Sequence, residues 1–360
     1  MKEYKLKIAV LFVLCLFLTS FSFPLVLAAE DSWVSKAPLP LPSWGIVTLN
    51  NRIYAIAGSG NYNNETYSNN AVFEYDPDLN NWTLKDVMPI KRYSFALVAY
   101  QNRIYVIGEP EGLNQVYDPI TDSWENRTSM PTPRTQLEAN VVDGKIYLIA
   151  GRIGGASRTV ALNEVYDPET DSWTTKTSIP FPVVQYASAV VDKKIYVIGG
   201  QDEYELPNPN LNITQIYDTI TDTWTFGAPL PYVVWQADAG ATAGQMAPKR
   251  IYVMGGLPKG SLFGTDLNQM YDTENNTWSL GSPMPIARAG LHIAVVNDVL
   301  YVLGGVPYIN VQATWTSENY QYTPIGYIPE FPSWTPFLIS GLIAALLMSI
   351  IYRHIVIRKG

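Results

Sequence analysis

The chain has 360 residues, of which 47% are hydrophobic and only 16% charged, and its formal net charge is −8. Residues 1–29 and 353–360 hold six of the 24 basic residues and one of the 32 acidic ones, so the remaining chain is strongly acidic. An acidic surface repels phosphate backbones, which excludes nucleic acid as an expected partner. The single cysteine, Cys15, lies in an apolar N-terminal segment. If this segment is removed, the mature protein has no cysteine, which excludes disulfides, thiolate metal sites and cysteine nucleophiles.

Residues 1–29 have the pattern of a secretory signal peptide. Three lysines between positions 2 and 7 form a basic region, an apolar run extends from Ile8 to Leu27, and the small residues Ala28 and Ala29 follow. The alternative is an uncleaved N-terminal anchor. A cleaved signal predicts that the rest of the chain lies outside the cell.

A second apolar segment, residues 336–352, contains no charged residue. As a helix it would measure about 26 Å, close to the lower limit for crossing a bilayer. Trp334 precedes it, and residues 353–360 form a basic tail. This pattern predicts a single transmembrane helix with a cytoplasmic C-terminus. The alternative is a buried core helix.

The linker at residues 326–335 contains the tripeptide Pro329-Glu330-Phe331. The tripeptide, the apolar segment and the basic tail together resemble the PEF-type C-terminal sorting signals of archaeal surface proteins. That resemblance implies cleavage by a membrane protease-transpeptidase and replacement of the span by a lipid. It also implies an archaeal surface protein.

Between these ends, in residues 30–325, an apolar run containing a tyrosine recurs six times. Each run is rich in β-branched residues and has a glycine as one of its last two residues, which is typical of a buried strand that leads into a turn. The runs are IYAIAG, IYVIGE, IYLIAG, IYVIGG, IYVMGG and LYVLGG, beginning at positions 53, 104, 146, 195, 251 and 300. Their spacing matches one propeller blade per repeat.

A tyrosine and a tryptophan seven residues later follow each of the first five runs. The pairs are Tyr75 and Trp82, Tyr117 and Trp124, Tyr166 and Trp173, Tyr217 and Trp224, and Tyr271 and Trp278. The constant step predicts a constant hairpin, and the intervening Asp, Pro and Asn residues favour a tight turn. These aromatic residues are therefore predicted to lie in the core.

These strings resemble the kelch repeat over about residues 31–324, although the glycine doublet is incomplete in the first three repeats. The resemblance implies an all-β, six-bladed β-propeller of four-stranded antiparallel blades. The sixth repeat lacks its tryptophan, whereas residues 31–36 near the N-terminus contain an unassigned one, Trp33. We therefore expect residues 31–36 to supply the outer strand of blade six and to close the ring.

In each blade we name the strands a to d from the central channel to the rim. The b–c loops are long and variable, so the face formed by the b–c and d–a loops is the predicted binding face. Three columns of residues precede strand a when the blades are aligned on the IY motif. They are Leu41, Arg92, Arg134, Val183, Val233 and Arg288; then Ser43, Ser94, Gln136, Gln185, Trp235 and Gly290; then Gly45, Ala96, Glu138, Ala187, Ala237 and His292.

The candidate ligand-binding residues are polar and aromatic members of these columns, together with Trp44 and with Asp238 as one more inward polar residue. They are Arg92, Arg134, Arg288, Gln136, Gln185, Trp44, Trp235, Glu138, Asp238 and His292. One interpretation is a polar or anionic ligand, such as a glycan, held by arginine and stacked on Trp44 or Trp235. The alternative is structural: the arginines join blades, Glu138 pairs with Arg134, and His292 is a core histidine. Five sequons are candidate glycosylation sites: Asn64, Asn81, Asn126, Asn212 and Asn275.

Two classes of function remain open. The first is a cell-surface recognition module for protein or glycan partners, with no cofactor, metal or catalytic residue assigned. The second is a carbohydrate-active enzyme similar to the kelch-type sialic-acid mutarotases, with acid–base chemistry from Glu138, His292 and the arginines. A copper oxidase like galactose oxidase is excluded, because residues 30–325 contain one histidine and no cysteine.

Overall fold

The computed structural model describes residues 29–43, 45–62, 65–154, 158–202, 211–307 and 315–328, and the single position 346. Among these residues, no helix has the length and apolar character needed to cross a membrane. All but the last residue of the predicted signal peptide lie outside the described residues, as do the PEF motif and all but one residue of the predicted transmembrane segment. Trp44 and Asn64 also lie outside them.

The described chain forms six four-stranded antiparallel sheets, and in each of them the strands follow one another in chain order, except that the last sheet ends with β1. Strands are numbered along the chain. The first three sheets are β2 (Gly45–Leu49), β3 (Arg52–Tyr62), β4 (Glu65–Asp76) and β5 (Asn81–Leu84); β6 (Phe95–Tyr100), β7 (Arg103–Gly108), β8 (Leu113–Asp118) and β9 (Ser123–Arg127); and β11 (Ala139–Val142), β12 (Lys145–Ile149), β15 (Asn163–Asp167) and β16 (Ser172–Thr175).

The other three sheets follow in the same order. They are β17 (Ala187–Val191), β18 (Lys194–Ile198), β19 (Thr214–Asp218) and β20 (Thr223–Phe226); β22 (Asp238–Ala241), β23 (Arg250–Met254), β25 (Asn268–Asp272) and β26 (Thr277–Leu280); and β27 (His292–Val296), β28 (Val299–Leu303), β29 (Asn319–Thr323) and β1 (Ser32–Ser35). Five two-residue strands lie in the loops: β10 (Arg134–Thr135), β13 (Arg152–Ile153), β14 (Arg158–Thr159), β21 (Val234–Trp235) and β24 (Leu257–Pro258).

The six sheets are arranged as the blades of a closed ring. The first strand of each sheet contacts the first strands of both neighbouring sheets, and β27 of the last sheet contacts β2 of the first. These six strands therefore surround the central channel. The IY runs form the second strands, whose side chains are almost fully buried between blades. The predicted kelch-type propeller of four-stranded antiparallel blades is thus the observed fold.

The N-terminal strand completes the sixth blade. β1 pairs antiparallel with β29, and Trp33 lies opposite Tyr322. The two rings are 4.8 Å apart, compared with 4.8–5.0 Å for the five Tyr–Trp pairs within single repeats. Residues from the two ends of the described chain thus rebuild the same hairpin contact, as the unassigned Trp33 predicts.

The turn between strands c and d also links neighbouring blades. In blade four, Asp222 has a left-handed backbone conformation (φ 55°). Its carboxylate accepts a 2.6 Å hydrogen bond from the Tyr217 hydroxyl and a 2.9 Å bond from the Thr177 N–H at the end of blade three. Asp31 makes the corresponding contacts with Tyr322 and Ser282. The short Asp and Asn side chains are repeated here because they tolerate this conformation and accept backbone bonds.

Candidate functional site

The three predicted arginines lie inside their blades and not at the channel surface. Arg92, Arg134 and Arg288 are at most 1% exposed. Arg134 forms a 3.0 Å ion pair with Glu164, and Arg92 donates a 3.1 Å hydrogen bond to Gln115. The interpretation in which these arginines grip an anionic ligand at the channel mouth is therefore corrected, because their guanidinium groups cannot be reached from solvent.

Each arginine faces the same position of strand c in its own blade. That position holds Gln115 in blade two, Glu164 in blade three and Tyr320 in blade six, where Arg288 lies 5.3 Å from the ring centroid. Blades four and five lack the arginine. There Gln215 and Gln269 bond to the backbone of Phe181 and Tyr232 instead. The arginine column is a structural device, and the partner of Arg134 is Glu164 and not Glu138.

The channel opens on the face of the b–c and d–a loops into a pocket of about 450 Å³. Its polar lining includes Gln136, Glu138, Gln185, Asp238 and His292, all of which the sequence singles out. Its lining also includes residues that sequence reasoning missed: Gln236, Tyr93, Phe95, Tyr186 and Trp315.

Blade five is one residue out of register in the sequence alignment. Trp235 pairs with Leu257 in the small sheet formed by β21 and β24 and does not line the pocket. Gln236 lies at the position predicted for Trp235. In the same way Asp238, and not Ala237, is the counterpart of Glu138 and His292, which line the pocket immediately before strand a or at its first residue. The sequence does contain the correct register. It is obtained by aligning the glutamines of the strings TQLE, VQYA and WQAD, which begin at residues 135, 184 and 235.

The glutamines form a belt of backbone hydrogen bonds around four blades. The N–H of Gly290 donates to the carbonyl of Gln236 (2.8 Å), Gln236 to Gln185 (2.9 Å), and Gln185 to Gln136 (3.1 Å). All four residues have φ values between 53° and 60°. This left-handed conformation costs a non-glycine residue about 1 kcal/mol or more. In blade six Gly290 adopts this conformation without the strain. Gln136, Gln185 and Gln236 adopt it with the strain, and their side chains line the pocket.

The pocket lining also brings together two carboxyl groups and an imidazole, which belong to Glu138, Asp238 and His292. The Oδ2 atom of Asp238 lies 4.0 Å from Nδ1 of His292, and their side chains are 20% and 28% exposed. Desolvation raises the pKa of Asp238 to about 7. Desolvation, followed by repulsion from Asp238, raises the pKa of Glu138 well above its usual range. Desolvation also lowers the pKa of His292 to about 4, so the imidazole is neutral at pH 7.

Among the described residues, no group of three or more histidine, cysteine or acidic residues is placed to hold a metal ion. Four of the five sequons lie on the surface: Asn81, Asn126, Asn212 and Asn275 are exposed. Their exposure permits glycosylation, which stays a prediction.

Comparison with known proteins gives the family. The family model "KLHDC2/KLHL20/DRC7 Kelch-repeats domain" matches residues 43–256. Kelch-like protein 7 of Rattus norvegicus is 42% identical over 220 residues, which cover 60% of this chain and 36% of that protein. Kelch repeat and BTB domain-containing protein 12 of Homo sapiens is 30% identical over 154 residues, which cover 36% of this chain and 25% of that protein. The chain thus spans a quarter to about a third of the length of these relatives.

A solved structure, "Structure of YjhT", is similar to 79% of this chain and 95% of its own, with a TM-score of 0.64 and 18% sequence identity. At this identity the likeness concerns the fold alone. The family match covers more than half of the chain and coincides with the repeats that build the blades. The chain therefore belongs to the kelch-repeat family.

Proposed function

We propose that this kelch-repeat protein is a cell-surface recognition module that binds a protein or glycan partner at the channel-mouth pocket. The signal-like N-terminus and the apolar segment at 336–352 support secretion and membrane anchoring, with the propeller outside the cell. The PEF tripeptide supports an archaeal surface protein that is processed to a lipid anchor.

One observation carries the binding proposal: three successive blades place a strained glutamine at the same pocket rim position. Amide side chains each offer two donors and one acceptor oxygen, which suits hydroxyl-rich or peptide ligands. Strain that persists without a structural need is typical of functional sites. The aromatic residues Tyr93 and Trp315 add flat surfaces next to these amides.

Glycine substitution of the belt tests the proposal without disturbing the backbone. The full-length chain, purified in detergent, is screened on glycan and peptide arrays. Gln185→Gly removes the amide and relieves the left-handed strain, so the variant is expected to fold normally yet to bind array hits at least tenfold more weakly. Gln101→Gly is the matched control, because Gln101 is also left-handed (φ 47°) but lies exposed in an a–b turn on the opposite face.

Hits that bind Gln185→Gly as tightly as the wild type would place recognition outside the pocket and refute the proposal. Hits lost in Gln185→Gly and kept in Gln101→Gly would support it. Thermal unfolding of both variants checks that the loss is not a folding defect.

A second function, a carbohydrate-active enzyme, is favoured by one observation. Asp238 has a pKa of about 7 and lies next to a neutral imidazole, which suits general acid–base catalysis near neutral pH. No arginine or lysine lines the described pocket, so a neutral sugar fits better than sialic acid. Exchange between the anomers of array-positive sugars, followed by NMR, tests it: Asp238→Asn abolishes exchange if the enzyme proposal holds, and unchanged exchange contradicts it.

A further inference from the structure

The channel-mouth pocket contains acidic groups that lack a cationic partner. We propose that it binds an ammonium group of the ligand between Glu138 and Asp238. This inference rests on the proposed function and adds the chemical class of the ligand. It also reverses the sign of the anionic ligand that the arginine column suggests, because the arginines are buried and the carboxyl groups line the cavity.

Glu138 has no counterion. Its backbone N–H donates to the Tyr186 hydroxyl (3.2 Å), but its carboxyl group makes no hydrogen bond or ion pair with any residue that the structure describes. A carboxylate in a desolvated site is normally paired, because leaving its charge uncompensated costs several kcal/mol. Glu164, inside the same blade, has such a partner in Arg134. The missing partner of Glu138 is what the ligand supplies.

Asp238 is held in a fixed orientation next to this group. Its Oδ1 accepts a 2.7 Å bond from the Ala239 N–H, and its Oδ2 accepts a 2.7 Å bond from the Ile293 N–H of the next blade. Carboxylate oxygens have about two lone pairs each, so both atoms keep acceptor capacity towards the channel. A rigid acceptor from blade five therefore faces the pocket together with Glu138 from blade three.

A third acceptor lies in the same lining. The Oε1 atom of Gln136 is buried and has no hydrogen-bond partner in the described structure. An amide oxygen without a partner can accept a hydrogen bond from a donor outside the chain. A primary ammonium group has three N–H donors and no acceptor, which matches acceptors from Glu138, Asp238 and Gln136.

The walls of the pocket also favour a cation. Tyr93, Phe95, Tyr186 and Trp315 contribute aromatic surface to the lining. Aromatic faces attract ammonium groups through the ring quadrupole, and the attraction strengthens as the site is desolvated. The titratable groups that face the site are Glu138, Asp238, His292, Tyr93 and Tyr186, and no lysine or arginine is among the described lining residues. His292 does not compete with the ligand's charge, since its pKa of about 4 leaves it neutral.

Calorimetric titration with charged and neutral ligand pairs tests the inference on the full-length chain in detergent. One pair is 2-aminoethyl β-glucoside and its N-acetyl derivative; the other is Nα-acetyl-lysinamide and its Nε-acetylated form. The first member of each pair carries the ammonium group, and the two pairs distinguish a sugar from a protein side chain as its source. At pH 8 the charged member of at least one pair is expected to bind at least tenfold more tightly than the neutral member.

Glu138→Gln is expected to remove this preference without affecting the fold, because the Glu138 carboxyl group has no partner among the residues that the structure describes. Glu111→Gln, an exposed acid on the same face, is the matched control and keeps the preference. Binding of the charged member should also weaken as the pH falls from 8 to 5.5, since the pKa of Asp238 near 7 means that it becomes protonated over this range.

Equal affinity for charged and neutral members, or a preference that persists in Glu138→Gln, would overturn the ammonium inference. The same holds if no member of either pair binds while array hits remain sensitive to Gln185→Gly, and in that case the proposed function stands without it. If array hits are insensitive to Gln185→Gly, the proposed function itself fails. The two failures are thus distinguishable.

Discussion

Arg134 and Glu138 are four residues apart in the chain, yet their charges have opposite surroundings. Arg134 points into blade three, where it is 0% exposed and paired at 3.0 Å with Glu164. Glu138 points into the channel-mouth pocket, where the nearest charge that affects its pKa is the like-charged Asp238. The first arrangement satisfies a buried charge internally and supports the fold. The second leaves a charge for something outside the chain to satisfy.

The largest effect is expected from breaking the paired charge. Arg134→Met leaves Glu164 buried without its counterion, so we expect the free energy of unfolding to fall by about 3–5 kcal/mol. Urea denaturation followed by tryptophan fluorescence measures the loss. Replacing both partners, with Arg134→Met and Glu164→Leu, should recover most of it. A single variant as stable as the wild type would show that the pair contributes nothing to the fold.

A buried carboxylate with only backbone partners gives an intermediate case. Asp298 is 4% exposed and accepts hydrogen bonds from the N–H groups of Ala243, Gln245, Met246 and Ala247 in the long blade-five loop. Although desolvation opposes it, these bonds lower the pKa of Asp298. Asp298→Asn should therefore cost about 1–3 kcal/mol at pH 7. Denaturation of the variant measures it, with the exposed turn residue Asp143→Asn as control.

The pH dependence of this cost has a definite sign. A carboxyl group with a lowered folded-state pKa stabilises the protein above its unfolded pKa of about 4, and this contribution is lost as the pH falls through the folded-state value. The difference in unfolding free energy between wild type and Asp298→Asn should thus shrink below about pH 4. A constant difference from pH 3 to pH 7 would contradict the role given to the charge.

The unpaired acid should give the smallest effect, in the opposite direction. The pKa of Glu138 is raised, so the folded state binds a proton that the unfolded state has released, and stability decreases as the pH rises above about 4. Glu138→Gln removes this penalty. We expect the variant to be more stable than the wild type at pH 8 and equal to it at pH 4. A loss of stability at pH 8 would mean that Glu138 has an internal partner.

The blades were predictable because their determinants are local and repeated. The seven-residue step from tyrosine to tryptophan fixes each outer hairpin, and the unassigned Trp33 predicts the closure of blade six. The orientation of the arginine side chains, by contrast, was not predictable from the sequence pattern. The periodicity of the arginine column places Arg92, Arg134 and Arg288 correctly at the entrance to strand a, but whether a side chain turns into the blade or into the channel depends on the residue opposite in strand c.

The pocket was predictable only in part for the same reason. Gln136, Gln185, Glu138 and His292 were identifiable as inward polar residues at equivalent positions, and Asp238 as one further inward candidate outside the columns. Trp315 was not, because it comes from the b–c loop of blade six, a segment without repeat periodicity. Gln236 was missed because the longer loop between β22 and β23 breaks the constant spacing from the IY motif in blade five, so the motif does not fix the register there. An offset of one residue exchanges the side chains that face the channel for their neighbours.

The most direct test of the contrast between paired and unpaired charge is the pKa of the Glu138 carboxyl group. Carbon-13 NMR of the full-length chain in detergent measures it, with the signal assigned by its absence in Glu138→Gln. We predict a pKa well above the usual glutamate value of about 4.3 without ligand, and a decrease when an ammonium ligand is added. A pKa near 4.3 that the ligand leaves unchanged would contradict the account, because Glu138 would then be an ordinary solvated acid.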